Sequence, residues 1–403
     1  MIIRARVVVT MDGPPIENGA VVISDNQIVD VGSVAEIKAR HSGEVVDLGE
    51  QALLPGLINA HCHLDYTCLR GKISPQKTFT DWIRAINAEK AKLSQEDYLA
   101  SINAGFAEAK RFGTTTIANL EAFPELIGKI DAPIRTWWFA ELIDVRDPNR
   151  AKEIVDRAVA SLKAAKNWGL APHAPFTASA NLYRYAVEVA EREQVLLSTH
   201  LAESEEEMQM SFDLGGPLVA FLGSIGGDLF EYERVTPVKH VLKTCRLDGG
   251  WIVAHLNSVL DSDLELLAGP SKCHVVHCPR SHKYFRHSPF QFERLRKLGF
   301  NICLGTDSLA SNENLSLFAE MRAFQQNEPH MSPEKILSMV TVNAALALGK
   351  PDVLGRLRRQ YWADMVTIPF HASRKNVFEE IVAFDGDVIC LVGDDHREIS
   401  GAA

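Results

Sequence analysis

Two histidines one residue apart, His61 and His63, follow the short run Leu57, Ile58, Asn59 and Ala60. Side chains at i and i+2 of an extended strand leave the same face. Both imidazoles therefore converge on one point, and Cys62 turns into the wall. Further β-rich runs end in a residue able to bind metal or move a proton, at His173, His200, His255 and Asp307. The chain has 14 histidines, so chance accounts for one or two such strand ends but not for all of them. His61, His63, His200 and Asp307 together make a nitrogen and oxygen donor set suited to zinc or ferrous iron. Glu203 lies three residues past His200, where a carboxylate leans over the metal position. An attacking water needs a base and a leaving amine needs a proton, and one glutamate serves both. The acids that follow, Glu205, Glu206 and Glu207, are expected on a solvated helix face.

These residues need a scaffold that presents strand ends on one rim. Eight strand candidates occupy 57–63, 114–120, 134–141, 169–173, 195–200, 251–255, 273–277 and 301–307. Helical signals separate them. Ser94 opens a capping-box-like stretch running to 112, and Pro333 after Ser332 starts a helix running to 348. Eight alternating units predict a parallel α/β (β/α)8 TIM barrel, whose active site sits at the C-terminal strand ends. Residues 6–10, 20–23 and 27–31 near one end, and 364–368 and 388–392 near the other, read as short strands. The expected organisation is a small β-sandwich domain formed by both termini (1–56 and 349–403) around a barrel (57–348).

The chain has 403 residues and is 46% hydrophobic, enough for a barrel and an accessory piece. A net charge of -10 argues against non-specific binding to nucleic acid or an anionic membrane. No apolar run approaches the roughly 20 residues that cross a bilayer. The first residues lack a signal peptide's basic and apolar regions. Seven scattered cysteines without a CxxC pair read as reduced thiols. A cytoplasmic protein is expected.

The run Leu54-Pro55-Gly56-Leu57-Ile58-Asn59-Ala60-His61-Cys62-His63 resembles the signature that opens the barrel of the amidohydrolase superfamily. Thr199-His200-Leu201-Ala202-Glu203 and Leu304-Gly305-Thr306-Asp307-Ser308 are similar to its later motifs. The deaminase branch is the nearest. It includes cytosine and guanine deaminases, S-adenosylhomocysteine, methylthioadenosine and aminofutalosine deaminases, and triazine hydrolases. The resemblance implies one divalent metal, zinc first and iron as the alternative, held by His61, His63, His200 and Asp307. It implies Glu203 as proton shuttle and His255 beside the activated water. Pro172-His173-Ala174-Pro175-Phe176-Thr177 resembles a deaminase motif whose histidine touches substrate, and no lysine stands there to bridge a second metal.

Three positions depart from the nucleoside deaminases. Lys90 falls where they carry a ribose-gripping glutamate. Ser308-Leu309-Ala310 follows the strand-eight aspartate, and His277 to His282 replace an asparagine-rich segment.

The expected reaction is hydrolytic deamination of an amino-substituted nitrogen heterocycle by a metal-activated water, with Asp307 and His255 steadying the adduct. The alternatives are hydrolysis of a cyclic amide or a ring C–Cl bond, and a binding protein without catalysis. Trp82 is a candidate to stack on a flat ring. Arg135 and, better placed, Arg280 are candidate anion grips, and His282 and His287 are expected in loops. The expected partners are a small-molecule substrate and further copies of the chain, with no nucleic acid and no membrane.

Overall fold

The computed structural model describes residues 1–227 and 233–391. Eight parallel strands form a barrel. The first seven are Leu57–His63, Thr114–Glu121, Arg135–Leu142, Trp168–Pro172, Leu196–Leu201, Trp251–His255 and His274–His277. The eighth comes in two pieces, Asn301–Leu304 and Asp307–Ser308. The first piece pairs with the seventh strand and the second with the first strand, which closes the ring. At the break, the Gly305 amide bonds the His277 carbonyl at 3.0 Å and the Thr306 amide bonds the His61 carbonyl at 3.1 Å. Only glycine fits this junction, because a Cβ on Gly305 would lie 2.7 Å from the His61 carbonyl oxygen.

Alternate strand residues fill the barrel interior, among them Ile58, Ala60, Leu120, Phe139, Ile252 and Val276. A register shift between Asn59 and Cys62 marks a bulge in the first strand. Beyond it, Cys62 joins the outer apolar layer while His61 and His63 face the rim. Helix Gln95–Arg111 starts as the sequence indicates, with Ser94 and Asp97 forming a reciprocal capping box. The helix expected over 333–348 is two helices, Pro333–Met339 and Val342–Ala347. The Val340 carbonyl is taken at 2.8 Å by the Ile58 amide of the first barrel strand, so the helical ladder stops there.

Both ends of the chain enter one seven-stranded sheet: Ile2–Val8, Ile16–Ser24, Gln27–Ser33, Val45–Asp47, Gln51–Pro55, Met365–Pro369 and Ile389–Leu391. The second and third strands, expected at 20–23 and 27–31, form an antiparallel hairpin with Asp25 at φ 51° in its turn. Residues 392–403, the end of the expected tail, lie outside the described residues. All seven cysteines are free. No helix among the described residues is long and apolar enough to cross a membrane.

Arg135 is not an anion grip. It sits at the start of the third barrel strand, away from the active rim. There its guanidinium clamps Asp364 through bonds of 3.0 and 3.2 Å and lies 3.8 Å over the Trp362 ring. Removing one partner of a pair this buried strands the other charge. Asp364→Ala is expected to cost about 3 kcal/mol of stability, read as a lowered thermal midpoint.

Candidate metal centre and active site

The barrel strands bring the sequence-predicted ligands together. His63 Nε2 lies 3.2 Å from His200 Nε2. Asp307 Oδ1 lies 3.8 Å from His63 Nε2 and 3.9 Å from His61 Nε2. Beside them, Glu203 Oε1 is 3.7 Å from His255 Nε2. Both ring nitrogens of His61 are buried without a hydrogen-bond partner. Leaving a buried polar group unsatisfied costs about 1–3 kcal/mol, and a divalent ion coordinated at Nε2 removes that penalty on one side of the ring. The donor set fits such an ion.

Neighbouring groups aim these donors. His200 Nδ1 faces the His173 carbonyl at 2.9 Å, which leaves Nε2 pointing at the centre. Asp307 Oδ2 accepts from the Ser281 hydroxyl at 2.6 Å, and Oδ1 accepts from the Ser308 amide at 2.8 Å. His255 and Asp307 adopt left-handed backbone, φ 78° and 56°, as does Ala202 at 51°. Each such conformation costs roughly 1–2 kcal/mol in a residue with a Cβ, and its concentration at one rim is strain spent on aiming side chains.

Burial dominates the electrostatics. It drives the His61 imidazole down to about 3, helped by the nearby His200. His63 and His255 are pushed well below the usual histidine range by burial and by neighbouring imidazoles. Neutral imidazoles are the form that binds metal. Burial also pushes Asp307 up, but His255, His61 and the Ser281 hydroxyl outweigh it and leave the carboxyl below its ordinary value. Glu203 is driven well above the carboxylate range by burial and then by the charges of Asp307 and Glu207.

The acidic run after Glu203 differs from expectation. Glu205 is exposed, but Glu206 and Glu207 turn inward. Glu206 accepts from the Phe79 and Thr80 amides at 2.7 and 3.0 Å, tying down the helix Phe79–Lys90. Glu207 is buried and accepts from the Ala202 and Glu203 amides at 3.0 and 2.8 Å, so it fixes the backbone that carries Glu203. Burial raises the Glu207 carboxyl from 4.5 to about 7 against the pull of those amides. A carboxyl raised on folding binds its proton more tightly in the folded state. Its contribution is whole below pH 4.5 and fades as pH climbs to about 7. Relative to wild type, Glu207→Gln is therefore expected to gain stability across that window, by at most about 3 kcal/mol, measured by denaturant melts at several pH values.

A cavity of about 460 Å³ opens over the centre. His63, His173, His200, Glu203, His255 and Asp307 line its floor, and Trp82 and Phe79 stand in its wall. His173 turns Nδ1 to the Thr177 hydroxyl at 2.6 Å, so Nε2 is the nitrogen left for other partners. Trp82 stacks with Phe79 and meets Phe285 edge-on at 4.9 Å, so it is both a cavity wall and a packed anchor. Arg280 is a correction. It follows a strand end on the rim, yet its guanidinium bonds Asn314 Oδ1 at 2.7 Å and Glu313 at 2.8 Å and does not reach the cavity. His282 and His287 line a different hollow.

Sequence reasoning missed Glu141 and Ser281, while Lys90, marked there only as a departure from the nucleoside deaminases, lines the cavity. Glu141 ended a predicted strand, and asking what ends each strand applies to it as much as to the histidines. Its carboxyl lies 3.9 Å from His63 Nδ1 and 3.8 Å from His173 Nε2. Burial raises it, opposed by the charges of His200 and Lys90. Behind it, Asp65 is pushed up to about 8 by burial and by the charge of Glu141. No spacing rule marks Ser281.

A closed barrel with imidazoles and a carboxylate gathered on its C-terminal rim, under a cavity, defines a metal-dependent hydrolase. The chain belongs to the Amidohydrolase family, which it matches over residues 52–389. It is 30% identical over 379 residues to the 5-methylthioadenosine/S-adenosylhomocysteine deaminase of Syntrophobacter fumaroxidans, covering 89% of this chain and 82% of that one. Helicobacter pylori aminofutalosine deaminase, solved with methylthio-coformycin, superposes with a TM-score of 0.85 at 22% identity, covering 97% of this chain and 98% of that one. The zinc-bound atrazine chlorohydrolase of Arthrobacter aurescens superposes at 0.81 and 18%, covering 100% and 98%.

Proposed function

We propose that this protein is a hydrolytic deaminase of an amino-substituted nitrogen heterocycle (purine, pterin or nucleoside-like), working with one zinc ion. Ferrous iron is the alternative metal for the same donors. The observation that carries the reading is Glu203. Its high-pKa carboxyl is buried 3.7 Å from His255 Nε2, next to four convergent donors and under a ring-sized cavity.

His61, His63, His200 and Asp307 are the residues that would hold the ion. Bound there, a divalent ion would make a water acidic enough to attack near neutral pH. Glu203 takes the proton of the attacking water and delivers it to a ring nitrogen, which activates the adjacent carbon. His255 and Asp307 face the same point and steady the charge that develops there. Glu203 then carries the proton of the adduct's hydroxyl to the amino group, so ammonia leaves and an oxo product remains. Trp82 and Phe79 offer the flat apolar wall, and His173 the polar contact. The cluster of Ile3, Ala5, Val21, Ile28, Leu53 and Met365 supports reading 1–56 and 349–403 as a small sandwich domain beside a 57–348 barrel.

The test is ammonia release by zinc-loaded protein from adenosine-type nucleosides, guanine, aminopterins, cytosine and aminotriazines. Turnover of one ring system is expected. Chloride release or opening of a cyclic amide, with no ammonia from any ring, would replace this reading.

A further inference from the structure

Glu141 has a buried carboxylate oxygen that no described residue partners. It stands near the C-terminal end of the third barrel strand, and its side chain is 5% exposed. Its Oε1 is buried and bonds nothing among the described residues. The nearest polar atoms, His63 Nδ1 at 3.9 Å and His173 Nε2 at 3.8 Å, both lie beyond hydrogen-bond distance. All three side chains line the cavity over the metal centre.

Across from it, Lys90 reaches the same cavity from helix Phe79–Lys90. Its Nζ donates to the Tyr66 hydroxyl at 2.6 Å and lies 4.5 Å over that ring. Among the described residues it has no carboxylate within ion-pair distance. The cavity floor thus presents an acceptor without a donor, and a held cation nearby.

A buried carboxylate left unpaired costs several kcal/mol, which a donor on a ligand would offset. We propose that Glu141 is the specificity-determining residue of this site. It accepts hydrogen bonds from O–H or N–H donors that the substrate carries away from its reacting carbon, beside His173, while Lys90 holds the negative charge in place. The inference rests on the deaminase reading. It adds that the substrate is a donor-bearing molecule, with either sugar hydroxyls or ring N–H groups on the side facing strand three. A site built around such a donor rejects the analogue that lacks it, because the carboxylate is then buried with no partner.

The competing role is structural: Glu141 would only orient His63 from behind. The two roles predict different measurements. Zinc-loaded Glu203→Gln protein, which binds without turnover, is titrated with matched pairs. One pair is a nucleoside and its 2′,3′-dideoxy form. The other is an amino-oxo heterocycle and its N-methyl form. The titrations are repeated after adding Glu141→Gln, with zinc affinity measured by chelator competition. The expected result is that one pair is discriminated at least tenfold and that Glu141→Gln erases most of the discrimination while leaving zinc affinity within a few-fold. The pair that responds tells hydroxyl donors from N–H donors. Equal discrimination with and without Glu141, or a tenfold or greater loss of zinc affinity with unchanged discrimination, overturns the proposal. Binding without ammonia release by the parent enzyme sinks the deaminase reading and leaves Glu141 decided by the titration. No binding by any member sinks both.

Discussion

Glu203→Gln is expected to lower kcat for ammonia release by about a thousandfold or more, because in the proposed reaction one carboxyl performs both proton transfers and each is worth about 10²–10⁴. The substitution keeps size and shape and removes only the ability to carry a proton. The four convergent donors do not include Glu203, so bound zinc is expected to stay near one per chain. KM is expected to move little, since the step lost is chemical. The Ala202 and Glu203 amides remain held by Glu207, so the loop keeps its shape. Steady-state kinetics and metal analysis on the same preparation check this. A variant retaining a tenth of wild-type kcat with full metal would move the proton transfer to another group, and His255, 3.7 Å away, would be the one to examine.

The second large effect is the metal. Chelation is expected to abolish activity, and added zinc to restore it. His61→Ala is expected to bind no stoichiometric metal and to lose activity to the detection limit. Stability gives an independent readout. A ligand bound only by the folded state stabilises it by about 4 kcal/mol at a thousand times its dissociation constant. Zinc is therefore expected to raise the thermal midpoint of wild type and not that of His61→Ala. The metal-free forms are expected to melt close together. His61 is wholly buried with both nitrogens unpartnered, so truncation removes an unsatisfied polar group as well as filling volume. A variant that still carries one zinc per chain would show that the remaining donors suffice, and that His61 is packing.

Much of the barrel was legible along the chain. The eight strands were found within a residue or so of their ends, because strands covered on both faces read as apolar runs and Gly, Pro and Asn punctuate them. The break in the helix over 333–348 was not legible. It arises because the Val340 carbonyl is claimed by Ile58, nearly three hundred residues away. The inward turn of Glu206 was missed for the same kind of reason. Glu206 answers amides at Phe79 and Thr80, which no local window contains.

Arg280 shows the converse error. Its place after a strand end put it on the right rim, but side-chain direction is settled by neighbours, and Asn314 and Glu313 turn it away. Ser281 gave no warning, since a lone serine has too many ordinary uses.

What the sequence by itself determined is the inventory: which residue types stand at which strand ends, and so which of them are proposed as metal donors and proton carrier. Types and strand-end positions follow from local patterning, which is written in the chain. What only the tertiary structure decided is aim. The bulge between Asn59 and Cys62 separates the inward Ile58 and Ala60 from the rim-facing His61 and His63. The bare Gly305 lets strand eight close against His61. Left-handed backbone at His255 and Asp307 helps set the side chains to their task. Each of these depends on a partner distant in sequence, and the energy that holds it comes from closing the barrel, which no short stretch of the chain contains.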